Sequence, residues 1–281
     1  MTSCTSTKHI ISTEEFSHLK FLSEFDIPFN KEYQNTIVGG LSSIDYDDRK
    51  NVYYIISDDK SEKSPARFYK AQININNSKI DSVVFLETTL LKNRDGNFYP
   101  SASTDPLHTP DPEAIRYNPL TNSFIWSSEG ERIVTGDKLV LEDPSITEMN
   151  EKGIFMDTLI LPAQMHMSKN ETGPRRNSVF EGVTFADNYR TLFVSVEEPL
   201  YDDGPRAGLK DSTGIIRILK YNLASKKTVA QYAYPIDAVT NPPITKGAFI
   251  LNGVSDILNV GENKLLLIER SYSTGTPGCK I

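Results

Sequence analysis

The chain is poor in the residues that build most recognisable sites. It has two cysteines, Cys4 and Cys279, at opposite ends of 281 residues, and they match no metal-ligand spacing. Histidine is limited to His9, His18, His108 and His166, scattered along the chain, so no zinc motif can be written. The "MHM" around His166 reads as a loop or packing feature. There is no Gly-x-Ser-x-Gly elbow, Walker loop or dinucleotide fingerprint, which removes the usual serine-hydrolase, P-loop and Rossmann readings. No apolar run approaches the roughly 18 residues of a membrane-spanning helix. Positive charge is also in deficit: the net charge is −7, which speaks against a nucleic-acid partner.

What is present points to strands. Hydrophobic residues make up 38% and charged residues 24%, the balance of a globular chain with a sizeable core. Tyrosine and phenylalanine are abundant at 13 each, with 16 glycines and 16 prolines spread throughout, a mixture suited to many strands joined by turns. The start, "MTSCTSTK", admits two readings. Cys4 is either an ordinary thiol in a tail or the lipidated residue left by a lipoprotein cleavage site, and the polar tether after it favours the second. Residues 1–15 are accordingly expected to be a tether and 16–281 the folded domain.

The domain repeats itself. "SSIDYDDRKNVYYIISDD" from Ser42, "EAIRYNPLTNSFIWSSEG" from Glu113, "EGVTFADNYRTLFVSVEEP" from Glu181 and "GVSDILNVGENKLLLIER" from Gly253 share one pattern: apolar run, turn, stronger apolar run, acid. Ser42 to Asp58, Glu113 to Glu129, Glu181 to Glu197 and Gly253 to Glu269 each span 16 positions, and the starts at 42, 113, 181 and 253 are 71, 68 and 72 residues apart. Further strand-like runs, such as "ARFYKAQINI" and "GIIRILKYNL", bring each period to about four strands, the content of one β-propeller blade. The second strands are apolar on both alternating sets, as expected of strands buried between blades. The expected fold is therefore an all-β propeller with blades of about 70 residues, preferred over a β-sandwich because the period is long and regular. "HLKFLSEFDIP" is expected to add a closing strand to the last blade, and the chain is expected to hold about three and a half blades, truncated at its C-terminus. Residues 142 to 175 are expected to include a further polar insertion, and "PSASTDPLHTPDPE" reads as an irregular loop beside the acids.

Propeller geometry explains the acids. The innermost strand of a blade leaves one face and the second strand returns to it, so the two ends of each repeat meet on one rim. Asp58, Glu113, Glu129, Glu181, Glu197, Asp256 and Glu269 are thereby expected to gather, with Asp59 alongside. Like charges repel and raise one another's pKa, and cations relieve them. A set of hard oxygen ligands suits Ca²⁺ better than Mg²⁺. Arg67, Arg175, Arg176 and Arg270 lie near the repeats. For any one of them, holding blades together is the simpler role; for the set, a functional face is at least as good a reading. Ser42 and Ser255 read as turn hydrogen-bonders.

At these stretches, with "PARFY" and "RRNSVFEG", the sequence resembles the phytase-like family, named for the esterase-like activity of phytase, from about Gly39 to the end. The resemblance implies a bacterial β-propeller outside the cytoplasm, periplasmic, outer-membrane-anchored through Cys4 or secreted, and it suggests phosphoric ester hydrolysis. It implies a small phosphorylated or ester substrate, a monomer, and no nucleic-acid partner. Family chains usually continue into a further unit with another Glu-Gly start, which this sequence lacks. On this reading Glu181, Glu197 and Glu113 are catalytic candidates, with Glu181 placed to orient or deprotonate a water. Arg67, Arg175, Asn177 and Arg270 are candidates for substrate binding, the arginines as bidentate phosphate clamps. The alternative is a non-catalytic propeller that binds a glycan, peptide or cell-envelope partner, its acids structural.

Overall fold

A computed structural model describes residues 19–210, 214–261 and 264–276. Cys4 and Cys279 lie outside that set. Apart from two single 3₁₀ turns at Ala163–Met165 and Tyr201–Asp203, its regular structure is strand. Three four-stranded antiparallel sheets follow one another in the order of the repeats. Blade 1 comprises Leu41–Asp47, Val52–Ser57, Arg67–Asn76 and Lys79–Leu90. Blade 2 comprises Pro112–Asn118, Ser123–Ser128, Ser145–Asn150 and Phe155–Thr158. Blade 3 comprises Phe180–Ala186, Thr191–Val196, Ile215–Asn222 and Lys227–Pro235. A fourth sheet contributes two strands, Ile250–Gly261 and Lys264–Ser273. The first strand of each sheet lies beside the first strand of the next, so these four line a common centre, the arrangement of a β-propeller.

The core is distributed between blades. Val52, Tyr54, Ile56 and Phe68 of blade 1 pack on Ile115, Phe124 and Trp126 of blade 2. Tyr54 meets Phe124 edge-on with ring centroids 4.7 Å apart, a favourable aromatic geometry. Ile125 and Ile146 of blade 2 pack on Phe180, Val183 and Val194 of blade 3, whose Ile216 and Ile218 in turn meet Val254 and Ile257. Second strands are buried on both faces in blades 1 to 3, as their sequences predict, whereas Lys264–Ser273 is half open.

Three expectations are corrected. The described part of the proposed closing segment, Leu19 to Pro28, has no strand: the Ser23 hydroxyl accepts the Ile80 N–H at the outer edge of blade 1, and Ile27, with Val38, covers that blade's apolar face. The insertion expected within 142 to 175 is narrower than that range, which also carries the two outer strands of blade 2, and a separate inserted hairpin, Glu131–Thr135/Lys138–Glu142, precedes them. The fourth repeat is out of register with the others. Every first strand has a β-bulge, near its start at Ser42, Glu113–Ala114 and Glu181 and midway along the longer fourth-sheet strand at Ser255. Aligned on that bulge, Arg270 takes the place of Asp58, Glu129 and Glu197, and Glu269, paired with Val254, faces the other way. A bulge adds one residue to one strand only, so a constant sequence spacing does not fix which side chain reaches the rim.

Candidate active site

The bulges build the site. In blades 2 and 3 the bulged Glu113 and Glu181 sit at the start of the inner strand, and the residue just past the second strand, Glu129 or Glu197, returns to the same rim. The Glu129 N–H donates to the Asp111 carbonyl at 3.1 Å, and the Glu197 N–H to the Val179 carbonyl at 2.7 Å, which fixes both backbones. Asp58 is held the same way by the Gly40 carbonyl at 2.7 Å. Side chains then cross between blades. Ser42 Oγ donates to Glu113 Oε2 at 2.6 Å, and Val179 N–H donates to Glu129 Oε1 at 2.6 Å. Ser42 thus has a rim role rather than a turn role. Gly253 is glycine because Glu197 fills its space: a Cβ there would lie 2.6 Å from Glu197 Cγ.

Two groups of carboxylates result, Asp111–Glu113–Glu129 and Glu129–Glu181–Glu197, each with one oxygen per residue within 4.8 Å of the others. All five residues are buried, Glu129 completely. Burial comes first in raising every one of their pKa values, and neighbouring carboxylates, Asp58, Glu131 and Glu198 among them, add to it. Glu181 is pushed up to about 9, with Glu197 as its chief neighbour. Asp111 is pushed up to about 6 despite Lys60, which lies 2.7 Å away and opposes the rise. Glu113 and Glu129 are raised well above the ordinary carboxylate range. Asp58 is raised by burial and by Asp59, and its charge in turn raises Asp111 and Glu181.

The residues fit a hard cation. Every donor is a carboxylate oxygen, and Glu129 Oε2 and Glu197 Oε1 are buried without a hydrogen-bond partner. A buried acceptor left unpaired is costly, and a bound cation relieves that cost.

The remaining predicted residues go elsewhere. Asp256 faces the centre of the ring and is gripped by Arg116 Nη2 at 2.8 and 2.9 Å. Glu269 accepts from Tyr234 Oη, Asp237 N–H and Asn252 Nδ2 at 2.6 to 2.8 Å, between blades 3 and 4. Arg67 is buried, with donors engaged by Tyr69, Asp59, Ser64, Pro65 and Ile37. Arg175 stacks on Tyr201, 4.2 Å from the ring centroid, and bonds the Pro199 and Gly204 carbonyls. Asn177 Oδ1 accepts from Lys60 at 3.2 Å on the rim. Arg270 is the cation with freedom: its side chain is 60% exposed and its guanidinium stands 3.6 Å from Glu197 Oε1.

Four participants escaped the sequence reading. Asp111 completes the first carboxylate group, and Lys60 joins it to Glu131 at 3.8 Å. Arg206 pairs with Glu198 at 3.1 Å, behind Glu197. Arg116 reaches from blade 2 to Ser43 of blade 1 at 2.6 Å as well as to Asp256. Asp111 had a signal, an acid immediately before the inner strand and two residues before Glu113; Lys60 and Arg206 are loop residues with none. The "PSASTDPLHTPDPE" loop does flank the rim, its Ala102 N–H bonded to the Lys60 carbonyl at 3.1 Å.

Solved structures of similar shape include hydrazine synthase of Kuenenia stuttgartiensis (10% identity, TM-score 0.33, 83% of this chain and 50% of that one). The tail fibre of a Staphylococcus aureus phage gives 12%, 0.39, 91% and 50%. The periplasmic gluconolactonase PpgL of Pseudomonas aeruginosa gives 9%, 0.37, 84% and 67%. The chain spans half the length of the first two. No curated protein matches it. Residues 36–281 match the profile described as esterase-like activity of phytase, and the chain belongs to that Phytase-like family.

Proposed function

We propose that the carboxylate rim is the catalytic centre of a phosphoric ester hydrolase that uses Ca²⁺ and acts outside the cytoplasm on a small phosphorylated substrate. One observation carries the reading: five buried carboxylates converge, and two of their oxygens lack a hydrogen-bond partner. Family membership supports the ester chemistry. An acidic rim by itself repels a phosphate. Ca²⁺ held by Glu113, Glu129, Glu181 and Glu197 would reverse the local field and make a bound water more acidic. Arg270, largely exposed on the rim, would grip phosphate oxygens. Glu181 would orient the attacking water and, once the cation's field has displaced its own proton, accept the proton of that water. Glu197, with an oxygen within 4.8 Å of one of Glu181, and Glu113, in the adjoining group, would act beside it as ligands. Free Ca²⁺ is abundant enough for weak sites only outside the cytoplasm, which agrees with the lipid anchor proposed for Cys4 or with secretion. The protein works as a monomer and, with its net charge of −7, without nucleic acid.

The test follows hydrolysis of a generic phosphomonoester after removing divalent ions with a chelator and restoring Ca²⁺. Activity should vanish and return, and Glu181→Gln should lower it by at least about 100-fold while the protein stays folded. Hydrolysis indifferent to both manipulations sinks the mechanism. Calcium binding without any hydrolysis would favour the non-catalytic propeller.

A further inference from the structure

Resting on that reading of the rim as a cation centre, we infer that it holds two cations rather than one, and that Glu129 is the ligand they share. The carboxylates fall into two groups of three with Glu129 common to both, not into one group of five. A calcium ion keeps its oxygens within about 2.3–2.6 Å, so ligand oxygens on one ion lie at most about 5 Å apart. Each group meets that limit separately, at 4.8 Å.

Glu129 is built for a bridging position. Its Oε1 is pinned by the Val179 N–H at 2.6 Å, which sets the carboxylate plane, and its Oε2 has no hydrogen-bond partner although the residue is 0% exposed. The protein's own cations attend only the two ends of the array. Lys60 touches Asp111 at 2.7 Å, and Arg270 approaches Glu197 at 3.6 Å. Neither makes an ion pair with Glu113, Glu129 or Glu181 among the described residues. Lys60 is shared with Glu131 at 3.8 Å, so the middle of the array, Glu113, Glu129 and Glu181, has no side-chain cation of its own at ion-pair distance among the described residues. The entrance agrees: Glu113 and Glu181, one from each group, keep the small residual exposures of 7% and 6%.

Calcium titration of the full chain, stripped with chelator and followed by calorimetry at pH 8, tests this. The unaltered chain should bind two more ions than Glu129→Gln, whereas Asp111→Asn and Glu197→Gln should each bind one fewer than the unaltered chain. Cooperative thermal unfolding in chelator shows that each variant is folded. If Glu129→Gln does not fold, the Asp111→Asn and Glu197→Gln counts decide alone. One ion lost in Glu129→Gln, no ion bound at all, or both ions lost with either end variant overturns the proposal. Two bound ions without phosphomonoester hydrolysis would overturn the hydrolase reading and leave this one standing; hydrolysis with a single bound ion would do the reverse.

Discussion

The rim and the layer beneath it use the same four inner strands and both carry acids, yet they treat them oppositely. Beneath the rim, Asp256 is held by both contacts of Arg116, Asp45 accepts the Tyr117 N–H at 2.8 Å, and Asp47 has Arg49 at 3.5 Å and Lys50 at 3.7 Å. Asp256 and Asp47 have cations within the fold, Asp256 and Asp45 tie blade 2 to its neighbours, and Asp45, Asp47 and Arg116 line a cavity of about 300 Å³. On the rim, Glu113, Glu129 and Glu181 have no such cation, and burial raises all three pKa values. An internally compensated acid is architecture; a buried uncompensated one weakens the fold and marks a place where a ligand supplies the missing charge.

The contrast can be broken first at Arg116. Arg116→Met leaves Asp256 unpaired in the ring and should cost about 3–5 kcal/mol in urea denaturation, more than neutralising any rim carboxylate. A loss under about 1 kcal/mol would erase the distinction between the layers. Next is Gly253→Ala, whose methyl would press on Glu197 Cγ at 2.6 Å. It should cost about 1–3 kcal/mol by overpacking and weaken calcium binding together, because the displaced atoms belong to a proposed ligand.

A smaller effect is pH-dependent. Rim carboxyls whose folded pKa exceeds the ordinary 4.5 bind more protons folded than unfolded, so the stability they allow is full below about pH 4.5 and declines as pH rises toward about 9 for Glu181. In chelator, the melting temperature should therefore fall by roughly 5 °C between pH 5.5 and pH 8, and excess Ca²⁺ should abolish the fall. A flat profile in chelator would show that the rim is compensated after all. Smallest is Arg270→Gln: its guanidinium is mostly exposed, so stability should change by less than about 1 kcal/mol while KM for a phosphomonoester rises.

Much of this architecture is legible in the chain. Alternating apolar runs at a period near 70 give four-stranded blades, and the both-sided apolar character of "VYYIIS", "FIWSS" and "LFVSV" gives their burial between neighbours. The pairs Glu113–Glu129 and Glu181–Glu197 meet on one rim as their spacing predicts. Legibility stops where a partner comes from another blade or a loop. Arg67 and Arg175 look like phosphate clamps in sequence, but carbonyls of neighbouring loops engage them. Lys60 has no such look, and tertiary contact places it beside Asp111 in the cluster.

The sequence alone determined the repeat, the strand content and the return of each hairpin to its starting face, because these follow from local periodicity and chain reversal. Only the tertiary structure decided which acids share a charge. That depends on where a bulge turns a side chain, as at Ser255 and Arg270, and on which cation a neighbouring blade brings within a few ångströms. Coulomb energies and desolvation are set by distances through space, and spacing along a chain does not record them.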